Sequence, residues 1–121
     1  MKILLAIGAG SFIGGVSRFL LSQFIQTKFP SSFPLGTFAV NIIGCLLIGA
    51  VYGLFLKNSL SNEWRLFLAT GILGGFTTFS AFSYETLELI KNGRMSYAAL
   101  YVCASILFGL AATFIGWQVA K

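Results

Sequence analysis

The sequence has no histidine, only three carboxylate side chains and only two cysteines. Hydrolytic and metal-assisted catalysis therefore have almost nothing to work with, because no imidazole is present and three acids cannot build a carboxylate cage. The thiols of Cys45 and Cys103 fall near the middle of apolar runs with no oxidant or metal partner in view, and they read as small buried hydrophobes. Both prolines sit in one stretch, "TKFPSSFP", which marks a single Pro-bearing loop. Charge is also scarce, at 9% of residues. The eight cations are dispersed, seven of them flanking apolar runs, so no basic stripe exists for nucleic-acid phosphates. Snorkelling and lipid headgroups account for them instead.

What fills the 121 residues is apolar: 57% are hydrophobic. A small water-soluble fold buries only about two-thirds of the surface its chain exposes, so this composition fits an all-α integral membrane protein. Crossing the hydrocarbon takes about 20 residues. Four runs qualify, at 3 to 26, 35 to 56, about 64 to 90 and about 96 to 119, making one four-helix transmembrane domain over 1–121. The start "MKILLAIGAG" resembles a signal peptide but leads into further span, so it reads as a retained first helix.

Four spans put both termini on one side of the bilayer. That side collects Lys2, Lys57, Arg65 and Lys121, and the other collects Lys28, Lys91 and Arg94, with Arg18 near its end of the first helix. Orientation follows an excess of Lys and Arg on the cytoplasmic side. With no excess, either insertion is allowed, and an antiparallel dimer becomes possible. Small residues four apart, at Ala6, Gly10 and Gly14, at Gly49 and Gly53, and at Gly71 and Gly75, would serve helix contact. No internal repeat is visible, so inverted symmetry would need two copies.

The third run carries "GILGGFTTFSAFSYE", a poor helix interior. Glycine costs about 1 kcal/mol in a helix and threonine competes for the backbone. A break at Gly74 to Thr77 would free carbonyls suited to a hard cation such as Na⁺; the other reading is a kink repaired by threonine hydroxyls. Beyond it, Phe76, Phe79 and Phe82 recur every three residues beside a row of Thr77, Ser80 and Ser83. Ring edges are electropositive and can line an anion path without trapping the ion, although such rings commonly face lipid or core. The second run, "GTFAVNIIG", places the Asn41 amide in hydrocarbon with Thr37 one turn before it. The fourth sets Tyr97, Tyr101, Ser105, Gly109 and Thr113 at four-residue intervals. Hydrogen bonding between helices would explain these groups, and so would a path for a hydrated anion. Arg18 would either draw anions into a vestibule or snorkel, Glu88 reaches the interface, and Glu85 lies deeper with its role open.

Taken together, "GSFIGGVSRF", "GTFAVNIIG" and "GILGGFTTFSAFSYE" resemble the Fluc/CrcB family of fluoride channels over essentially the whole chain. The resemblance implies a dual-topology antiparallel homodimer in a microbial inner membrane, with two pores. By position, Phe79 and Phe82 correspond to its phenylalanine box, Asn41 to its pore donor, and Tyr101, Ser105 and Thr37 to its polar track. Gly74 and Thr77 match the break whose main-chain carbonyls, two from each subunit, hold a structural Na⁺. Arg18 matches a first-helix arginine of the vestibule, and Glu85 an acid of unassigned task; Ser80, Ser83 and Thr113 are further polar candidates. Where the track is expected to continue with a hydroxyl this chain has Gly109, so backbone or water would line that end.

The implied activity is passive export of fluoride that has entered as HF. The main rival is a small proton-coupled multidrug transporter, which needs a carboxylate in the first helix, where this chain has none. A non-transporting membrane scaffold would explain the small-residue ridges but not the aligned Asn, Phe and hydroxyl positions.

Overall fold

The computed structural model covers residues 1–121 and is entirely helical. Helix α1 spans Lys2–Lys28 and α2 spans Leu35–Leu56. The third span is divided. Its first part, α3 (residues 62–76), opens with an α-helical turn Asn62–Arg65, continues as a π-helical stretch Leu66–Leu73 and closes with a short α turn Gly74–Phe76. Its second part, α4, is Phe79–Lys91, and α5 is Met95–Ala120. Four helical segments, with α3 and α4 counted as one, are long and apolar enough to cross a membrane. Only 21 of 121 residues are buried within the chain, while large apolar side chains such as Phe12, Leu107 and Val119 face outward. The protein is thus a multi-pass membrane protein whose outer faces suit hydrocarbon.

The connections show why each helix ends where it does. Gln26 near the end of α1 reaches over the Pro-bearing loop: its Nε2 donates to the Ser31 carbonyl (3.0 Å) and its Oε1 accepts the Gly36 N–H (3.1 Å), one of the orphan donors of the α2 start. Past α2, Asn58 takes a left-handed conformation (φ 61°) and the Ser59 N–H turns back to the Leu54 carbonyl. Ser61 caps α3 by accepting from the Trp64 N–H. At the end of α4 a positive φ of 75° is taken by Gly93, which carries no Cβ to oppose it.

Helix α2 packs most extensively on α5, and α1 lies along the π-helical stretch of α3. Both crossings bring backbone against backbone. A Cβ at Gly49 would collide with the Thr113 carbonyl, one at Gly116 with the Leu46 carbonyl, and one at Gly14 with the Ile72 carbonyl. Gly10 and Gly71 face each other across α1 and α3. The small-residue ridges therefore serve helix contacts inside one chain. Cys103 departs from expectation: it is exposed, whereas Cys45 is partly buried.

Candidate functional site

Two extended residues interrupt the third span. Thr77 (φ −93°, ψ 157°) and Thr78 (φ −149°, ψ 125°) lie in the β region between α3 and α4. The helical ladder remains intact up to the Thr77 N–H, which still reaches the Leu73 carbonyl at 3.0 Å. It then stops. The Thr78 N–H, which a continuous helix would give to Gly74, instead meets Asn41 Oδ1 at 2.9 Å. Asn41 Nδ2 returns a bond to the Thr78 carbonyl at 3.0 Å. Only one orientation of the amide satisfies both contacts, which leaves a single amide hydrogen available. The Ala81 N–H, due to the Thr77 carbonyl in a continuous helix, is accepted by Thr78 Oγ1 at 3.1 Å and starts α4. The carbonyls of Gly74 and Thr77 have thus both lost their helical donors. Oxygen donors of this kind suit a hard cation, so these residues fit the expected Na⁺.

The other two sides of the break are also held. From α1, Arg18 Nε donates to the Gly75 carbonyl at 3.1 Å. Arg18 is therefore bonded to main chain in the middle of the third span. From α2, Gly44 leaves room for the Thr77 methyl group, where any Cβ would collide with Thr77 Cγ2. The Thr77 hydroxyl bonds the Leu73 carbonyl of its own turn at 3.1 Å.

Beside the break lies a groove of about 380 Å³ whose lining includes Asn41, Cys45, Gly74, Thr77, Phe79, Phe82 and Ser105. No charged side chain lines it. Phe79 and Phe82 stand with centroids 5.6 Å apart and planes inclined at 43°. Phe79 is 78% exposed, so its ring projects out of the chain's own packing. Phe76 is not part of this ridge: the break intervenes, and it is buried at 8% exposure. The same interruption separates Thr77 from Ser80 and Ser83. Ser80 instead pairs with the Thr78 hydroxyl (3.2 Å), and Ser83 is exposed.

A second cluster adjoins the groove. Glu85 Oε2 accepts from the Thr37 hydroxyl at 2.8 Å, and Oε1 accepts from the Tyr101 hydroxyl at 2.9 Å. The carboxylate thereby ties α4 to α2 and α5, and two hydroxyls read from the sequence as open donors are engaged by it. Tyr101 is fully buried, with its ring 4.9 Å from Phe82 and 5.3 Å from Phe33. Outside this cluster, Gln26, Tyr84, Glu88 and Arg94 line a more polar opening that reaches Glu85. Glu88 accepts from Tyr84 there at 2.8 Å. Thr113 takes no part in either cluster; its hydroxyl bonds the Gly109 carbonyl of its own helix at 3.0 Å.

Sequence reasoning named Asn41, Phe79, Phe82, Ser105, Gly74 and Thr77, and the structure brings these six to one groove. It overlooked Gly44, whose only signal was a small residue one turn past Asn41, and it read Thr78 as opposing the helix without seeing its pairing with Asn41. It also overlooked Cys45 as a groove residue.

The chain is similar to known proteins over nearly its whole length. Residues 5–117 match the family described as "CrcB-like protein, Camphor Resistance (CrcB)". The chain is 47% identical to a protein of Chlorobium phaeobacteroides strain BS1 named fluoride-specific ion channel FluC, over 98% of this chain and 92% of the relative. A protein of the same name from Chlorobaculum tepidum is 47% identical over 100% of this chain and 96% of its own length. One from Thermus thermophilus is 42% identical over 98% and 95%. With residues 5–117 matched and identity sustained end to end, the chain belongs to the CrcB family.

Proposed function

We propose that the chain is a fluoride-selective channel rather than an enzyme, passing fluoride passively out of the cell through two pores of an antiparallel homodimer in the inner membrane. The observation that carries this reading is the uncharged groove, where one free Asn41 hydrogen, the Ser105 hydroxyl and the inclined rings of Phe79 and Phe82 converge. Fluoride holds its water tightly, so a pore must replace that water with several close donors. Ring edges and neutral hydrogens supply many weak contacts, and a path of weak contacts allows departure as well as entrance. Chloride is too large to use them equally well.

The groove is open on the flank of one chain, and an exposed Phe79 ring calls for a covering surface. A second copy in the opposite orientation supports itself on the near balance of flanking charge: with Arg18 bonded inside the span, four cations stand against three. In such a dimer the Gly74 and Thr77 carbonyls of each copy would hold the structural Na⁺, which supplies a fixed positive charge for carbonyls that have no N–H. Membership of the CrcB family leaves the multidrug-transporter alternative not favoured.

The deciding experiment is anion efflux from liposomes holding the purified protein. Fluoride is expected to leave rapidly while chloride stays; equal release of both, or of neither, would overturn the proposal.

A further inference from the structure

We propose that Asn41 is a positioning residue that keeps the third span broken: by taking the Thr78 N–H it withholds that donor from the Gly74 carbonyl, and so preserves the carbonyl for a cation. The inference rests on the reading of Gly74 and Thr77 as a Na⁺ site and adds to Asn41 a task separate from any contact with fluoride.

The hydrogen-bond ladder locates the effect at one bond. Thr77 N–H still follows the helical rule to Leu73, so the chain is helical up to the point where Thr78 N–H would close on Gly74. Asn41 Oδ1 occupies that donor at 2.9 Å, and its Nδ2 holds the Thr78 carbonyl at 3.0 Å. The amide acts on Thr78 as a neighbouring strand would, pinning both backbone groups of a residue whose φ and ψ are extended. Thr78 then repeats the diversion one turn on, because its hydroxyl takes the Ala81 N–H that would otherwise reach the Thr77 carbonyl. Two side-chain acceptors thus divert two donors, and the two carbonyls deprived are those of Gly74 and Thr77. A backbone carbonyl at membrane depth does not stay unpaired when a donor is at hand. Without Asn41, Thr78 N–H has Gly74 as its nearest helical acceptor, and closing that bond extends α3 by one residue and withdraws the carbonyl.

The consequence separates acceptor from donor. Asn41→Asp keeps an oxygen for Thr78 N–H but loses the amide hydrogens and brings a negative charge to the groove. Asn41→Ala loses both functions. Thr78→Val removes only the second diversion. Each variant would be purified as the full chain and its thermal unfolding followed against NaCl concentration, with N-methylglucamine chloride holding ionic strength constant. Fluoride efflux from liposomes would be measured on the same preparations.

Wild type is expected to gain thermal stability with Na⁺. The Na⁺ concentration giving half of that gain should rise at least tenfold in Asn41→Ala and in Thr78→Val. In Asn41→Asp it should stay at or below the wild-type value even as fluoride efflux falls. An Asn41→Ala protein that loses efflux yet keeps the wild-type Na⁺ response would overturn the inference and leave Asn41 as a fluoride donor alone. Should Asn41→Ala fail to fold, a wild-type Na⁺ response in Thr78→Val, or a lost one in Asn41→Asp, is equally fatal. A wild type indifferent to Na⁺ sinks the inference together with the cation site, while its efflux still reports separately on the channel.

Discussion

The two halves of the third span are held by different kinds of contact. Upstream of the break, α3 meets α1 backbone to backbone, through Gly10, Gly14, Gly71 and Gly75, and Arg18 bonds a main-chain carbonyl. Downstream, α4 is held by side chains: Asn41 on Thr78, and Thr37 and Tyr101 on Glu85. The glycine contacts of the first arrangement have no rotatable parts and fix a position. The second consists of hydrogen bonds whose loss costs a definite but limited amount, and it surrounds the aromatic pair that faces the groove. Rigidity on one side of the break thus serves as the reference against which the other side is aimed.

The largest effect should come from disturbing the rigid half. Gly14→Val places a Cβ into the Ile72 carbonyl and against the Phe76 amide, and neither helix can yield without parting from the other. Overpacking of side chains costs about 1–3 kcal/mol, and a backbone collision exceeds that range. The expected result is little or no folded protein by size-exclusion chromatography. A well-folded Gly14→Val protein would mean that the backbone contact is not what holds α3.

Phe82→Ala tests the aimed half at the groove itself. The ring contacts both Phe79 and Tyr101, so its removal opens the path wall while leaving the glycine contacts untouched. Fluoride efflux should fall about tenfold or more, since each tenfold corresponds to about 1.4 kcal/mol in a barrier. The folded yield should change far less than for Gly14→Val.

Much of this comparison was legible in the sequence and some was not, for identifiable reasons. Span lengths follow from hydrocarbon thickness, and Leu35–Leu56 was read to the residue. The break was legible because two glycines and two threonines oppose a helix wherever they fall. The π winding of Leu66–Leu73 left no trace, since an apolar stretch interrupted only at Thr70 and Gly71 is too short to reveal a period. The partner of Glu85 was hidden for another reason: Thr37 lies 48 positions away and Tyr101 16, and no local pattern encodes which donors meet across helices. Phe76 was misread because a period of three was carried across the very break that interrupts it. The glycine ridges were found, but their use inside one chain depends on how α1 folds back on α3.

Glu85→Gln should have an intermediate effect. The carboxylate accepts two O–H donors at 2.8 and 2.9 Å, and bonds to a charged acceptor are about twice as strong as neutral ones. Glutamine offers one oxygen acceptor in their place and turns a donor toward the other hydroxyl. Thermal unfolding should show a loss of about 1–3 kcal/mol. Because Thr37 and Tyr101 are engaged by Glu85, the substitution should also alter efflux. Unchanged stability and unchanged efflux would together show that the cluster is neither a brace for α4 nor part of the path.

The smallest effect is expected at Thr113. It stands on the same four-residue stripe as Ser105, two turns on, yet the two residues differ in what surrounds them: Ser105 lines the groove, whereas the Thr113 hydroxyl bonds the Gly109 carbonyl of its own helix. That carbonyl already belongs to the α5 ladder, so removing the extra donor leaves no buried group without a partner, and Thr113→Val keeps the branched shape of the side chain. Stability should change by less than about 0.5 kcal/mol. Fluoride efflux should match wild type, while Ser105→Ala lowers it. If Thr113→Val instead slowed efflux as much as Ser105→Ala, the path would run along the whole α5 stripe past Gly109, and the groove beside the break would be only part of it.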